Sequence, residues 1–129
     1  VLTSRGLGDV YKRQNLVSAF QDDSLGTDDA VALADKIKNG ELNAQEVTQD
    51  AIERARKVNP QLNAITVEDF DSALTNSAKT FSGVFQGIPT FIKDTDEVPG
   101  LPLYLGSRSL PGESQISCQK LRSKYLLLG

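Results

Sequence analysis

Apolar positions recur at helical spacing through the first half of the chain. Ala30, Leu33, Ala34 and Ile37 stand at i, i+3, i+4 and i+7, which places them on one face of a helix. Thr27 precedes them as an N-cap, Asp28 and Asp29 occupy a first turn where the helix dipole favours negative charge, and Asn39-Gly40 supplies a stop. A second helix is signalled more strongly. Asn43 caps it, Glu46 sits three residues on as in a capping box, and Leu42 with Val47 forms a hydrophobic staple. Its stripe is Val47, Ala51, Ile52, Ala55 and Val58, and Asn59-Pro60 is expected to end it. Both faces are for packing and carry no chemistry.

After Pro60 the period changes. Leu62 to Val67 alternates and ends in β-branched residues, which predicts a short strand. A third helix follows from about Asp69, with Phe70, Ala73, Leu74, Ser77, Ala78 and Phe81 along one side. Gly83 to Gly87 turns the chain into a second predicted strand, Ile88–Ile92, with Pro89 confined to its start because it cannot donate to a ladder. Pro99, Gly100, Pro102, Gly106, Pro111 and Gly112 then mark a long loop. Helix, helix, strand, helix, strand is the opening of an α/β fold with most of its sheet missing.

Composition narrows the chemistry. The 129 residues carry 14 basic and 17 acidic side chains, a net charge of −3, without the basic excess of a nucleic-acid footprint. Histidine is absent and Cys118 is the single cysteine. A Ser-His-Asp triad, a Cys-His pair, a His-ligated zinc and an internal disulfide are thereby excluded from this sequence. The lone thiol fits a reducing compartment, and Cys118 itself has no basic or histidine partner to make it a nucleophile. No apolar run reaches the roughly 18–20 residues of a membrane span, and Tyr125–Leu128 is only core-sized. At the other end, the eleven residues Ser4–Gln14, SRGLGDVYKRQ, read as the translation of a sequencing-library adapter. Residues 1–14 are therefore expected to be a non-native, disordered tail, and residues 15–129 the domain-derived part.

One residue breaks the pattern. Lys93 closes the apolar run Ile88–Ile92 and opens the polar turn Asp94-Thr95-Asp96-Glu97. An amine entering an apolar setting has its charged form disfavoured, the condition of a general base. The plainer reading of periodicity alone is an edge lysine snorkelling to water or paired with Asp94. Asp94, Asp96 and Glu97 lack the offsets and central glycine of a calcium loop, and Arg108 reads as a surface residue.

Phe85-Gln86-Gly87-Ile88-Pro89-Thr90-Phe91-Ile92-Lys93-Asp94, with Gly100 and then Gly106-Ser107, resembles the lysine motif of the amidase signature family, roughly G-[IV]-P-x-x-[IL]-K-[DE] followed by glycine and Gly-Ser. Asn59-Pro60-Gln61-Leu62-Asn63-Ala64 resembles the family's N-P-x-[IL]-N-A segment. The likeness covers about Ala30 to Pro111, with a weaker echo over Gln119–Gly129. It implies the N-terminal part of a mixed β-sheet flanked by helices, and amide hydrolysis or amidotransfer by a Ser–cis-Ser–Lys triad. Lys93 matches the catalytic lysine, with Asp94, Gly106 and Ser107 in support. The family's two serines lie in a Gly/Ser-rich segment that this sequence lacks, and nothing makes Ser107, Ser109, Ser114, Ser117 or Ser123 the nucleophile.

The expectation is a fragment that supplies the base and is inactive alone. The resemblance further implies a small-molecule amide substrate, no cofactor, no metal, no direct nucleic-acid or membrane contact, a cytoplasmic location, and room for a homodimer in the full-length parent. Alternatives stay open: the A-type subunit of a tRNA-dependent amidotransferase, a helical adaptor using Thr27–Asn59, or a fragment without function.

Overall fold

The first cap lies two residues later than the sequence suggests. In the computed structural model, which describes residues 16–80, 82–107 and 109, Asp29 has extended backbone and its carboxylate accepts from the N–H groups of Val31 and Ala32 at 3.0 and 2.9 Å. That satisfies two of the donors that a helix start leaves open. Helix α1 then spans Ala30–Lys38 and buries Leu33 and Ala34. Asp28, freed from the cap, pairs with Lys36.

Helix α2 spans Ala44–Leu62 and is capped by Asn43 as expected. The Asn43 side chain accepts from Gln45 N–H at 2.8 Å with Val47 fully buried behind it, while the Glu46 half of the expected capping box makes no bond among the described residues. The expected end at Asn59-Pro60 is overrun. Pro60 sits inside the last turn, and the helix stops only at Asn63, a left-handed cap with φ of 48°. Asn59 accounts for the difference. Its carbonyl accepts from Asn63 N–H at 2.7 Å, and its side-chain oxygen accepts from the N–H groups of Ala64 and Ile65 at 3.0 and 3.1 Å. The asparagine thus gathers the donors of the emerging chain, and asparagine at the left-handed position tolerates that conformation better than most residues.

Helix α3 spans Phe70–Ser77 and packs against α2, where Arg56 lies over the Phe70 ring at 5.3 Å from its centroid. Among the described residues the buried apolar side chains are Leu33 and Ala34 from α1 and Val47, Ile52 and Ala55 from α2. All five belong to the stripes read from the sequence.

The α/β reading is overturned. The described residues hold three helices and no strand. In the first predicted strand, α2 captures Leu62 and Asn63 turns left-handed, which destroys the alternation. The second, Ile88–Ile92, has no regular secondary structure, and Pro89 offers no donor. A strand exists through its partner, and neither segment has a ladder partner among the described residues. The expected adapter tail, residues 1–14, and the echo over Gln119–Gly129 lie outside the described residues. Among the described residues no helix is long and apolar enough to cross a membrane.

An interaction without a sequence signal ties the chain before α1 to α2. The Arg54 guanidinium forks onto Asp23, with Nε to Oδ2 at 2.7 Å, and also donates to the carbonyls of Gln21 and Gly26 at 3.1 and 2.9 Å. Asp50 accepts from both the N–H and the hydroxyl of Ser24 at 2.9 and 2.6 Å. The Arg54 bonds hold the Asp23 carboxyl below the usual carboxylate range, so its stabilising contribution is present above that range and is lost as pH falls through the lowered value. Arg54→Ala should cost about 2 kcal/mol at neutral pH, the scale of hydrogen bonds to a charged group in a part-buried site. The gap in urea midpoint between parent and variant should narrow as Asp23 protonates. An equal gap at pH 7 and pH 3 would contradict the assignment.

Candidate active site

Gly87 opens the lysine motif and anchors it. The turn before it is closed by Gln86 N–H to Gly83 O at 3.4 Å and Ile88 N–H to Phe85 O at 3.1 Å. Gly87 itself has φ of 80°, and a Cβ placed on it would stand 2.7 Å from the Ala44 Cβ and 3.7 Å from Ile37. The motif therefore starts hard against the junction of α1 and α2, at a position only glycine fills without strain. From Ile88 the chain runs to Lys93, whose carbonyl accepts from Thr95 and Asp96 N–H at 2.7 and 3.0 Å.

Asp94 closes the loop that follows. Its carboxylate accepts from Tyr104 N–H at 3.0 Å and from Gly106 N–H at 3.2 Å, across ten and twelve residues. Leu105 and Gly106 both take positive φ, 50° and 67°, so that successive N–H groups converge on the carboxylate. Tyr104 N–H above all, then Gly106 and Leu105 N–H and the Lys93 charge, hold the Asp94 carboxyl below the usual carboxylate range. Ser107 continues the turn, donating its N–H to Tyr104 O at 2.8 Å, and its hydroxyl accepts from Ser109 N–H at 3.2 Å.

Of the four residues singled out in the sequence, the structure brings Asp94, Gly106 and Ser107 into one hydrogen-bonded loop, with Lys93 adjoining Asp94. Asp94 caps the N–H groups of Tyr104 and Gly106. Lys93 is exposed, and no hydrogen-bond partner of its amine is found among the described residues. Phe91 and Ile92 beside it are exposed as well, so the apolar enclosure expected of a strand is not supplied here. Arg108, Ser114, Ser117, Cys118 and Ser123 lie outside the described residues. Among the described residues no three His, Cys, Asp or Glu side chains are placed to hold a metal ion.

Two cavities meet at this segment. One, of about 730 Å³, is walled by Ala55, Val58, Leu62, Ile65 and Val67, and the other, of about 350 Å³, by Ile52, Phe70, Ala73 and Leu103. Phe91, Ile92, Lys93 and Asp94 border both. The arrangement places Lys93, exposed, on a pinned turn at the border of two apolar-lined grooves. Among the described residues no nucleophile is hydrogen-bonded to its amine. Sequence reasoning missed Tyr104 and Leu105, whose N–H groups complete the Asp94 pocket. Their backbone role leaves no side-chain signature, and only the separation of Asp94 from Gly106 hints at it.

Asp94→Ala should release the loop. Amide exchange at Tyr104 and Gly106 should accelerate severalfold, and in the parent their protection should persist below the usual carboxylate range and fade as pH falls through the lowered Asp94 value. Unchanged exchange at both amides would refute this loop closure.

No protein-family model matches the chain, and no solved structure matches it. Curated relatives do. The chain is 46% identical over 113 residues to amidase AmiC of Mycobacterium leprae, covering 88% of this chain and 24% of the relative. It is 32% identical over 95 residues to fatty-acid amide hydrolase 2-B of Danio rerio (62% and 18%). It is 34% identical over 103 residues to the A-type subunit of glutamyl-tRNA(Gln) amidotransferase from Rippkaea orientalis (70% and 21%). The chain thus spans about a quarter or less of the length of these relatives. Over much of its own length the chain is thus similar to proteins named as an amidase, a fatty-acid amide hydrolase and a subunit of an amidotransferase.

Proposed function

We propose that the chain is part of a longer amide-hydrolysing enzyme in which Lys93 is the base of a Ser–cis-Ser–Lys triad. One observation carries the reading. The 46% identity to an amidase extends over 113 of 129 residues, a stretch that includes Lys93 whichever end is left out, and Lys93 stands in the lysine motif. In this mechanism the neutral amine draws a proton from the nucleophilic serine through the bridging serine as the nucleophile attacks the amide carbonyl. Backbone N–H groups stabilise the tetrahedral oxyanion, and the proton passes back to the departing amine as the acyl-enzyme forms. Water then releases the acyl group by the same relay in reverse.

Both serines belong to a Gly/Ser-rich segment that residues 1–129 do not contain. Asp94 keeps the turn carrying Lys93 in one conformation, and Gly106 and Ser107 complete that loop. The similarity to one component of an amidotransferase favours a second reading, in which the released ammonia passes to a mischarged tRNA. Glutaminase activity that depends on partner proteins would select it.

The 129-residue chain alone should not react with a fluorophosphonate probe of serine nucleophiles. Stoichiometric labelling of Ser107 or Ser109 would overturn the assignment of the nucleophile to a segment beyond these residues.

A further inference from the structure

Asn39-Gly40 is the sole asparagine–glycine pair of the chain, and it closes α1. Lys38, Asn39, Gly40 and Glu41 are all exposed, and a Cβ placed on Gly40 would meet nothing within 4 Å. With no Cβ to crowd it, a glycine nitrogen can approach the side chain before it. Among the described residues the Asn39 carboxamide is held by one long bond, from Nδ2 to Glu41 Oε1 at 3.4 Å. What guards the pair is the helix cap itself. Gly40 N–H donates to Ile37 O at 3.0 Å, and Glu41 N–H to Lys36 O at 2.9 Å. These bonds close the last turn of a nine-residue helix, where fraying concentrates. The other described asparagines are held differently. Asn59 precedes a proline, which has no N–H. The Asn43 oxygen caps Gln45, the Ala64 N–H after Asn63 is bonded to Asn59 Oδ1, and Asn76 lies inside α3.

We propose that Asn39 is a site of spontaneous deamidation, exposed to attack each time the last turn of α1 frays, and that its products unfasten the α1 cap. Once Gly40 N–H leaves Ile37 O, the nitrogen loses its proton to water and bonds to Asn39 Cγ. The Cγ–Nδ2 bond breaks, and the carboxamide nitrogen departs as ammonia. Water then opens the cyclic imide at either carbonyl, leaving aspartate or isoaspartate. The net change is amide plus water to carboxylate plus ammonium, with no oxidant or reductant. The new carboxylate stands at the C-terminal end of α1, where the helix dipole disfavours negative charge. It also replaces the amide that donated to Glu41 with a like charge. Isoaspartate goes further, because it routes the backbone through the side chain and adds a carbon to it, so the Gly40 bond to Ile37 O is not remade. Ile37 lies against Gly87, so the loosening arises where the lysine motif meets the helices.

Incubation of the 129-residue chain with and without urea, followed by peptide mapping with mass spectrometry, tests the site. In native buffer Asn39 should convert before the chain's other asparagines. In urea, which removes the cap, it should convert severalfold faster. Earlier conversion at another asparagine, or none at Asn39 in native buffer, would overturn the site. Equal rates with and without urea would overturn its control by the cap. The Asn39→Asp variant carries the aspartate product from the start. Its amide exchange at Gly40 and Glu41 should be about two- to fivefold faster than in the parent, the scale of one unfavourable charge at a helix end. Unchanged exchange at both amides would overturn the effect on α1.

Discussion

Gly87→Ala is expected to destabilise the chain by about 3 kcal/mol. Positive φ costs a residue with a Cβ about 1–2 kcal/mol, and Gly87 sits at 80°. The new methyl would also stand 2.7 Å from Ala44 Cβ, at the first residue of α2. Overpacking of this kind adds roughly 1–3 kcal/mol, because α2 cannot retreat without disturbing Val47 and the Asn43 cap. Gly100→Ala separates the two contributions, since Gly100 has φ of 88° and nothing within 4 Å of its absent Cβ. Urea unfolding followed by helical circular dichroism should therefore show a modest loss for Gly100→Ala and a larger one for Gly87→Ala. Equal losses would mean that the motif does not press on the helical junction.

The contrast between these glycines shows what was legible in the sequence. The helices were readable because their signals are local. Asn43 reaches two residues to Gln45, and the stripe Val47, Ile52, Ala55 repeats within its own helix. The core was legible for the same reason. The cap at Asp29 was misjudged because Thr27, Asp28 and Asp29 are all competent caps, and only the geometry chooses among them. The strands were misread because alternation records a tendency to be half-buried, while a ladder needs a second strand that no local pattern supplies. The Arg54–Asp23 fork spans 31 residues, and the Asp94 pocket uses backbone N–H groups at Tyr104 and Gly106. Neither leaves a short-range pattern.

At the candidate site, Lys93 was conspicuous as the charged residue closing an apolar run, and the family resemblance gave it a role. The groove around it was invisible in the sequence. It is assembled from the end of α2, the stretch after Asn63 and the run before Lys93, which approach one another only in the fold.

The largest expected effect is on catalysis. In the full-length enzyme, Lys93→Ala removes the group proposed to take the proton from the serine relay. General base catalysis contributes about 10²–10⁴-fold, equivalent to roughly 3–5 kcal/mol of barrier. No histidine exists in residues 1–129 to substitute. Lys93→Arg should not rescue, since a guanidinium stays protonated and cannot accept the proton. The fold should survive both changes, because Lys93 is exposed and its amine makes no hydrogen bond among the described residues. Unchanged circular dichroism and urea midpoints would show this.

The most direct measurement is kcat/KM for hydrolysis of a small amide by the full-length protein and its Lys93→Ala variant at equal foldedness. A loss of about 100-fold or more is the predicted result. Retention of activity within about threefold, far short of that loss, would make Lys93 a structural surface lysine and contradict its assignment as the base.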